Sequence, residues 1–528
     1  MRQSDPSSGP ARPAGLRDTL AVVGGAGALA LAFPPVNALP LAFVGLAPLF
    51  WVVSRTRPTG FWSAFRPGLV AGIAFFVPLL YWLVNLSSLD VDNPVLMSGP
   101  LVLLVLLESV FWGLFSASAS WVSLRTRVPS WAAFPVLWVA CEELRSLGVL
   151  GFTWGDLGYA ATAAPRAIQF ASVTGLLGVS LWVALGNALL AEALSSTGRR
   201  RLALACWLAA VLAAPFAHGS LVMRGSHAWP TMRVAVVQPN IDAKRKWDAR
   251  FRSESFEVLR ELSLQAAEQR PDLIVWPETA APSYLFRHPD DMARVTDVAR
   301  RTGAFVLTGF PDIRADRDAR RGARTYNSAV LVSPDGVPGA VYDKIHLVPF
   351  GEFIPFETVV PALRDVDFGE ADFSPGREHV VFEADQARVS VLICFESIFP
   401  SLVREFVQEG ATLLVNITND VWYGRTSMPF QHASMAVMRA VENRRSVARS
   451  ANSGVSLLLD PYGRVIGRLG IFERGILVGD LPLVPQKTFF TRHSDLVGGG
   501  ATLLAGLLVL IPIPSVRRRT RRAAAPTT

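Results

Sequence analysis

Cysteine is scarce in this sequence, and that scarcity is the first constraint on what the protein can be. Cys141, Cys206 and Cys394 are the three in 528 residues. So few, so far apart, cannot build a disulfide framework, and none forms a C-x-x-C pair for a metal or a redox centre. The seven histidines are scattered without ligand spacing, so no structural metal is expected, and no cofactor is expected either. Charge is thin as well. Asp, Glu, Lys and Arg make up 18% of the residues and apolar types 51%, with a mean hydropathy of +0.33. That balance excludes an ordinary soluble enzyme of this length. The net charge is +8, but many of the arginines flank apolar runs, a habit of membrane proteins rather than of nucleic-acid binders. No nucleic-acid partner is expected.

What the sequence does have is a series of apolar runs, at about residues 20–33, 41–53, 68–84, 95–122, 131–147, 168–194, 201–223 and 496–514. A bilayer span needs roughly 20 mostly apolar residues, so these read as about eight spans, some short or interrupted by Pro and Gly. Arginines gather in alternate loops: Arg12 and Arg17, then Arg55, Arg57 and Arg66, then Arg125 and Arg127, then Arg199 to Arg201, and finally a basic tail from Arg517 to Arg522. The positive-inside rule places those loops and both termini in the cytoplasm. The tail itself reads as an orientation signal facing anionic lipids. The expected organisation is a cytoplasmic tail (1–17), a transmembrane domain of about seven helices (18–224), an extracytoplasmic catalytic domain (225–495), a last span (496–514) and a basic cytoplasmic tail (515–528). The first run is taken as a retained span, because no clear small-residue cleavage site is present and a second span comes at once. Glu108 lies mid-span, where an ionisable group is either functional or a neutral, hydrogen-bonded structural glutamate. Glu142, Glu143 and Arg145, near the outer end of the fifth span, are expected to pair with one another; contact with a phospholipid headgroup is the weaker reading.

The segment between the seventh and eighth runs alternates strand and helix patterns. Strands are expected at 233–238, 273–276, 304–309, 328–332, 389–393, 413–417 and 455–460, and helices at 250–269 and 428–449, which suits layered sheets covered by helices. VSVLICFESIF (389–399) sets Cys394 at the end of a buried apolar strand, where α/β folds place their chemistry. Alone, such a cysteine is more often a small buried hydrophobe. Two further stretches change that weighing. DLIVWPET (272–279) ends a second strand at Glu278, and YDKIHLVPFGEFIP (342–355) carries Lys344 and Glu352 in a loop punctuated by Pro and Gly. A thiol with a pKa near 8.5 needs a base or a positive neighbour before it attacks. A carboxylate can take its proton, and an ammonium can stabilise the oxyanion of a tetrahedral intermediate.

The motifs WPE, YDKxHLVPFGE and CxE resemble those of the nitrilase (carbon–nitrogen hydrolase) superfamily, over about residues 233–481. The resemblance implies an αββα sandwich, with Glu278 as base, Lys344 as oxyanion partner and Cys394 as nucleophile. The membrane part adds to it. ALAFPPVNALPLAFVGLAPLF (30–50) and WVACEELRSLGVLGFTWGDLGYA (138–160) resemble the opening and central segments of the apolipoprotein N-acyltransferase family, with Thr153 where proline is usual. That family implies ping-pong transfer of a fatty acyl chain from a phospholipid, through a Cys394 thioester, to the α-amino group of an N-terminal diacylglyceryl-cysteine. The reaction is the last step of bacterial lipoprotein maturation, at the cell inner membrane. The implied partners are a phospholipid donor, a diacylglyceryl-apolipoprotein acceptor and the bilayer, and a monomer suffices. The alternatives are a membrane-tethered amidase that uses water as acceptor, and a scaffold with a decayed site, which the presence of all three residues opposes.

Further residues follow from the resemblance, each beside a blander reading. Glu352 orients Lys344, or is a surface loop glutamate. Glu396 supports the lysine or a lid, or serves only as structural support. Phe395 stands where the family has tyrosine, so packing is expected there rather than a hydrogen bond. Asn416 and Asn419 position loops. Trp247 and Trp422 lie on loops over the site, in contact with lipid or packed as ordinary core tryptophans, and Pro355 belongs to the same lid.

Overall fold

The structure, a computed structural model, describes residues 14–89, 94–225, 228–242, 249–317, 322–355 and 373–510. Its first part is helical: α1 (Leu16–Ala30), α2 (Leu39–Ala42), α3 (Ala47–Arg55), α4 (Phe61–Leu80), α5 (Pro94–Arg125), α6 (Ser130–Arg145), α7 (Ala171–Ser195) and α8 (Gly198–Val222). Four stretches, Phe61–Asn85, Ser98–Arg125, Ala171–Ser195 and Gly198–Val222, are long and apolar enough to cross a membrane by length and composition. Two more apolar helices are shorter, Leu39–Arg55 and Leu496–Leu510. Helix therefore underlies each of the eight expected runs, while four of them reach span length among the described residues. For the second run the shortfall has a local cause, since Phe43 to Leu46 separates α2 from α3.

The second part is an α/β sandwich. One six-stranded sheet has the order β12-β1-β2-β3-β4-β5 and the other β11-β10-β9-β8-β7-β6. The strands of the first are β1 (Thr231–Gln238), β2 (Leu273–Val275), β3 (Phe305–Ala315), β4 (Ala323–Val332), β5 (Pro338–Asp343) and the late β12 (Gly475–Pro482). Those of the second are β6 (Val381–Ala384), β7 (Ala387–Ile393), β8 (Leu413–Thr418), β9 (Ser446–Ala451), β10 (Ser456–Leu459) and β11 (Val465–Leu469). Alternate residues sort the faces, as period-two strands require. Val234, Val236, Leu273 and Val275 face the joint core with Val389, Val391, Leu413 and Val415. Ala235, Val237 and Ile274 turn outward instead, against helices α9 (Arg252–Ala267) and α10 (Pro289–Thr302). Helices α11 (Pro400–Gln408) and α12 (Met428–Asn443) cover the other sheet, and α13 (Phe489–His493) leads back to the last helix, α14 (Leu496–Leu510). The layers are those of the expected αββα sandwich.

One expectation is corrected outright. The helix expected over 428–449 ends at Asn443. Arg444 turns left-handed at φ +51°, and Ser446–Ala451 pairs in parallel with β8. A fully buried strand has no polar face to show an alternation, so this stretch looked like the continuation of its helix.

The two parts share one continuous apolar core, stitched by polar contacts. Ile398 O accepts from Thr153 Oγ1 (3.2 Å), Tyr159 OH (3.2 Å) and Arg439 Nη1 (3.3 Å). Glu442 Oε1 accepts from Leu176 N–H at 2.8 Å. Arg145 does not pair with its sequence neighbours as expected. Its fork bonds Glu108 Oε2 at 2.9 Å and also Asp156, while Glu142 accepts from Trp138 Nε1 (2.8 Å) and Leu157 N–H (3.0 Å). Helix geometry is the reason: Glu108 on α5 and the loop carrying Asp156 face Arg145 across the packing.

Candidate active site

Three segment ends converge in the sandwich. β2 stops at Val275 and the WPE that follows carries Glu278 to the rim; Thr279 turns back at φ +43°. Gly309 on β3 leaves room for that turn, since a Cβ there would stand 2.6 Å from Thr279 N and 3.0 Å from Glu278 Cα. β7 runs out at Ile393, and Cys394 breaks from it at φ +53°, a left-handed conformation that a cysteine keeps only when its surroundings hold it there. Lys344 follows β5 directly, its N–H bonded to Asn327 O at 2.8 Å.

The side chains form a closed buried network. Lys344 is 1% exposed, Glu278 and Glu352 7% each. Lys344 Nζ lies 2.9 Å from Glu352 Oε1, 2.8 Å from its Oε2 and 3.8 Å from Glu278 Oε1. Asn327 Nδ2 bridges the carboxylates, donating to Glu278 Oε1 at 2.8 Å and to Glu352 Oε1 at 3.0 Å. Backbone N–H groups take the remaining oxygens: Asn419 to Glu278 Oε2 at 2.8 Å and Val348 to Glu352 Oε2 at 2.9 Å. Burial works against the charge on Lys344, but Glu352, Glu278 and Cys394 together outweigh it and hold the amine above the ordinary lysine range. Burial also pushes the Cys394 thiol up, Glu278 adds to the rise, and Lys344 opposes it. The resting pair is thus a protonated thiol beside an ammonium, and an attack by sulfur needs a base. Glu278 is the carboxylate whose charge the thiol feels most.

The other residues singled out from the sequence fall around this centre. Glu352 sits on Lys344. Glu396 is wholly buried and tied down at both oxygens: Tyr342 OH (2.7 Å), Ile345 N–H (2.7 Å) and His346 N–H (3.2 Å) donate to Oε1, and Ile393 N–H (2.7 Å) to Oε2. It joins the lysine loop to the end of β7, and burial raises it to about 7 despite those donors. Asn416 Nδ2 donates to Leu392 O at 2.9 Å and to Cys394 O at 3.3 Å. Phe395 packs, stacking on Phe152 at 6.5 Å and meeting Phe399 edge-on at 5.1 Å. Trp422 is half-buried in the short turn Asp420–Tyr423. Pro355 is buried where the described part of its loop ends, and Trp247 lies outside the described residues.

Four residues of the site were not read from the sequence: Asn327, Asp420, His432 and Arg449. Arg449 Nη2 bonds Asp420 Oδ2 at 2.9 Å and lies 3.1 Å from His432 Nδ1, and His432 Nε2 lies 3.0 Å from Cys394 O. Burial would raise Asp420, but its polar partners, Arg449 foremost, outweigh it and hold the carboxyl at about 2. The signal available was Asp420 closing NITND after a strand; a buried arginine in a strand and a histidine on a helix carry none. Cys394, Asp420 and His432 offer donor atoms within 4.8 Å of one another, the spacing of a metal site. The guanidinium of Arg449 already sits against two of those donors, and its charge opposes a cation there.

A model of the carbon-nitrogen hydrolase family matches residues 233–485, and one of the apolipoprotein N-acyltransferase N-terminal domain matches residues 25–189. The apolipoprotein N-acyltransferase of Geobacter metallireducens is 35% identical over 505 residues, 93% of this chain and 95% of that protein. The one from Chlorobaculum tepidum is 32% identical over 514 residues, 92% of this chain and 94% of its own. Among solved structures, an amidase from Nesterenkonia sp. aligns at 22% identity and a TM-score of 0.38, over 52% of this chain and 99% of its own. Two family models in series and relatives matched over nine-tenths of their length lead to one assignment: the chain belongs to the apolipoprotein N-acyltransferase family.

Proposed function

We propose that this acyltransferase takes a fatty acyl chain from a phospholipid and passes it, through a thioester on Cys394, to the α-amino group of the N-terminal diacylglyceryl-cysteine of an apolipoprotein. The observation that carries this reading is a left-handed cysteine beside a buried ammonium held between two carboxylates, in a sandwich that shares its core with apolar helices of span length.

In the first half-reaction Glu278 takes the thiol proton as Sγ attacks the ester carbonyl, and Lys344 faces the oxyanion that develops. The C–O bond then breaks, the proton passes from Glu278 to the departing oxygen, and a lysophospholipid leaves a thioester behind. In the second, the neutral amine attacks the thioester and Glu278 accepts its proton. The C–S bond breaks, the thiolate regains that proton, and the acyl group leaves as an amide. Glu352 and Asn327 position Lys344 and Glu278, and Glu396 and Asn416 hold the turn after Cys394. Phe395, Trp422, Trp247 and Pro355 supply the apolar rim and lid that acyl chains need. Both substrates are anchored by acyl chains in one leaflet. The reading therefore puts residues 225–495 on the outer side of the inner membrane, with spans in 18–224 and 496–514, both termini cytoplasmic, and the monomer as the working unit.

Intact-mass analysis of the purified chain with phospholipid, beside Cys394→Ala, tests the reading. The expected result is an acyl-sized gain on the wild type alone, discharged by a diacylated lipopeptide to give its triacylated product. An adduct that vanishes in water with no lipopeptide acylated would make the chain an amidase. Lipopeptide acylation without any adduct would remove Cys394 from the pathway.

A further inference from the structure

The proposed mechanism uses the sulfur of Cys394 but leaves open what holds its backbone left-handed. The carbonyl of Cys394 receives three contacts: His432 Nε2 at 3.0 Å, Ser397 Oγ at 3.2 Å and Asn416 Nδ2 at 3.3 Å. The shortest comes from a histidine buried in helix α12. Its Nε2 also lies 3.1 Å from Ser397 Oγ, which itself donates to Cys394 O, and its tautomer is assigned from its neighbours. Arg449 Nη2, which only donates, lies 3.1 Å from His432 Nδ1, so Nδ1 must accept and the ring proton sits on Nε2, aimed at Cys394 O. Asp420 Oδ1, 3.3 Å from the same Nδ1, accepts from Thr418 Oγ1 at 2.9 Å, and its Oδ2 accepts from Arg449. Cys394, Asp420 and Arg449 are the titratable or charged groups that bear on the ring. Burial and then Arg449 lower the pKa of His432, in keeping with a neutral imidazole.

The anchor is itself anchored from the helical part. The preceding residue, Gln431, accepts from the indoles of Trp154 (2.7 Å) and Trp82 (3.2 Å) at Oε1. Its Nε2 reaches Leu79 O at 3.3 Å and Pro34 O at 3.4 Å. One helical turn thus fixes the nucleophile's backbone on one side and is gripped by membrane-region residues on the other.

We propose that His432 is a positioning residue for the nucleophile: its Nε2–H, set in that tautomer by Arg449, holds the Cys394 carbonyl and so keeps the left-handed turn that aims the thiol at Glu278 and Lys344. It acts as a fixed donor, neither a base nor a metal ligand. The inference rests on Cys394 being the acyl carrier.

The test is single-turnover acylation by phospholipid, read by intact mass over a range of pH, for the full chain in detergent. The variants are His432→Ala, His432→Met and His432→Gln, with Cys394→Ala as control. His432→Ala and His432→Met are expected to slow acylation about 10²-fold, the order associated with roughly 1 Å of misplacement. The KM for phospholipid and the shape of the pH profile should stay as in the wild type. His432→Gln, which can still present an N–H, should recover most of the rate. If His432→Ala is not obtained folded, the Met and Gln pair decides alone. Acylation at the wild-type rate without the donor, no recovery in His432→Gln, or loss of a limb of the pH profile would each overturn the proposal. An acyl adduct on Cys394→Ala would instead overturn the thioester reading on which it rests.

Discussion

Two buried clusters in this molecule share almost the same inventory, one cation and two carboxylates, and do different things. In the helical part Arg145 binds Glu108 and Asp156, and also Trp154 O at 3.0 Å. In the sandwich Lys344 binds Glu352 and stands 3.8 Å from Glu278. The first is a clamp. A guanidinium is planar, always charged and fixed in its donor directions, which suits tying α5, α6 and the 152–160 loop into one body. The second is built around a compact ammonium, and one of its carboxylates is held beyond hydrogen-bonding distance from it. What separates the two is the neighbour. Cys394, close enough to feel the lysine's charge, sits on a strained left-handed turn, whereas Cys141, the thiol near Arg145, lies within helix α6. Buried charge alone does not mark an active site; buried charge beside a strained nucleophile does.

Variants of both clusters test the distinction between them. The largest effect is expected from Cys394→Ala, a loss of lipopeptide acylation of roughly 10³-fold or more with an unaltered melting temperature. Lys344→Met combined with Glu352→Gln removes charge in a balanced way and should leave a folded protein about 10²–10³-fold slower in acylation. The matching change in the other cluster, Arg145→Met with Glu108→Gln and Asp156→Asn, should keep activity within about threefold, because replacing all members of a buried ionic cluster together is often neutral. A folded triple variant without activity would erase the distinction. Arg145→Met alone, which strands two carboxylates, should lower stability by about 3–5 kcal/mol, seen as a lower unfolding temperature in detergent.

A smaller effect comes from pH. Glu396 and Glu442 are raised by burial to about 7 each, against about 4.3 in an unfolded chain. A carboxyl whose pKa is raised on folding binds its proton more tightly in the folded state. Its contribution is therefore complete below about pH 4.3 and is lost as pH rises through 7. Unfolding midpoints should fall between pH 5 and 8, and Glu396→Gln should flatten that slope. The smallest change is Phe395→Tyr. The ring already stacks on Phe152 and meets Phe399 edge-on, so stability should move by less than about 1.5 kcal/mol and acylation should hardly change.

The chemistry-bearing residues were legible because chemistry restricts residue type. A thiol, a carboxylate and an amine in WPE, YDKxHLVPFGE and CxE have few other reasons to stand at strand ends. The strands were legible where apolar runs were short and bounded. β12 was not, because it pairs antiparallel with β1 from more than two hundred residues away, and no local pattern names a distant partner. Asn327 and His432 escaped for the same reason, since a polar residue within a strand or helix pattern says nothing about what it faces. Arg145 misled because its sequence neighbours include two acids, while the helix turns it toward Glu108 and Asp156.

Apolar helices, a layered α/β segment, and a cysteine, a glutamate and a lysine at element ends could all be read in the chain before folding. Composition, periodicity and residue chemistry are local properties, and a chain carries them before it folds. Folding alone settles which carboxylate holds Lys344, which backbone groups hold Glu278, and that a histidine and an arginine meet at the turn of Cys394. Those are contacts between residues tens to hundreds of positions apart. Their energies depend on distances of about 3 Å and on exclusion of water, and neither exists until the two parts of the chain have packed together.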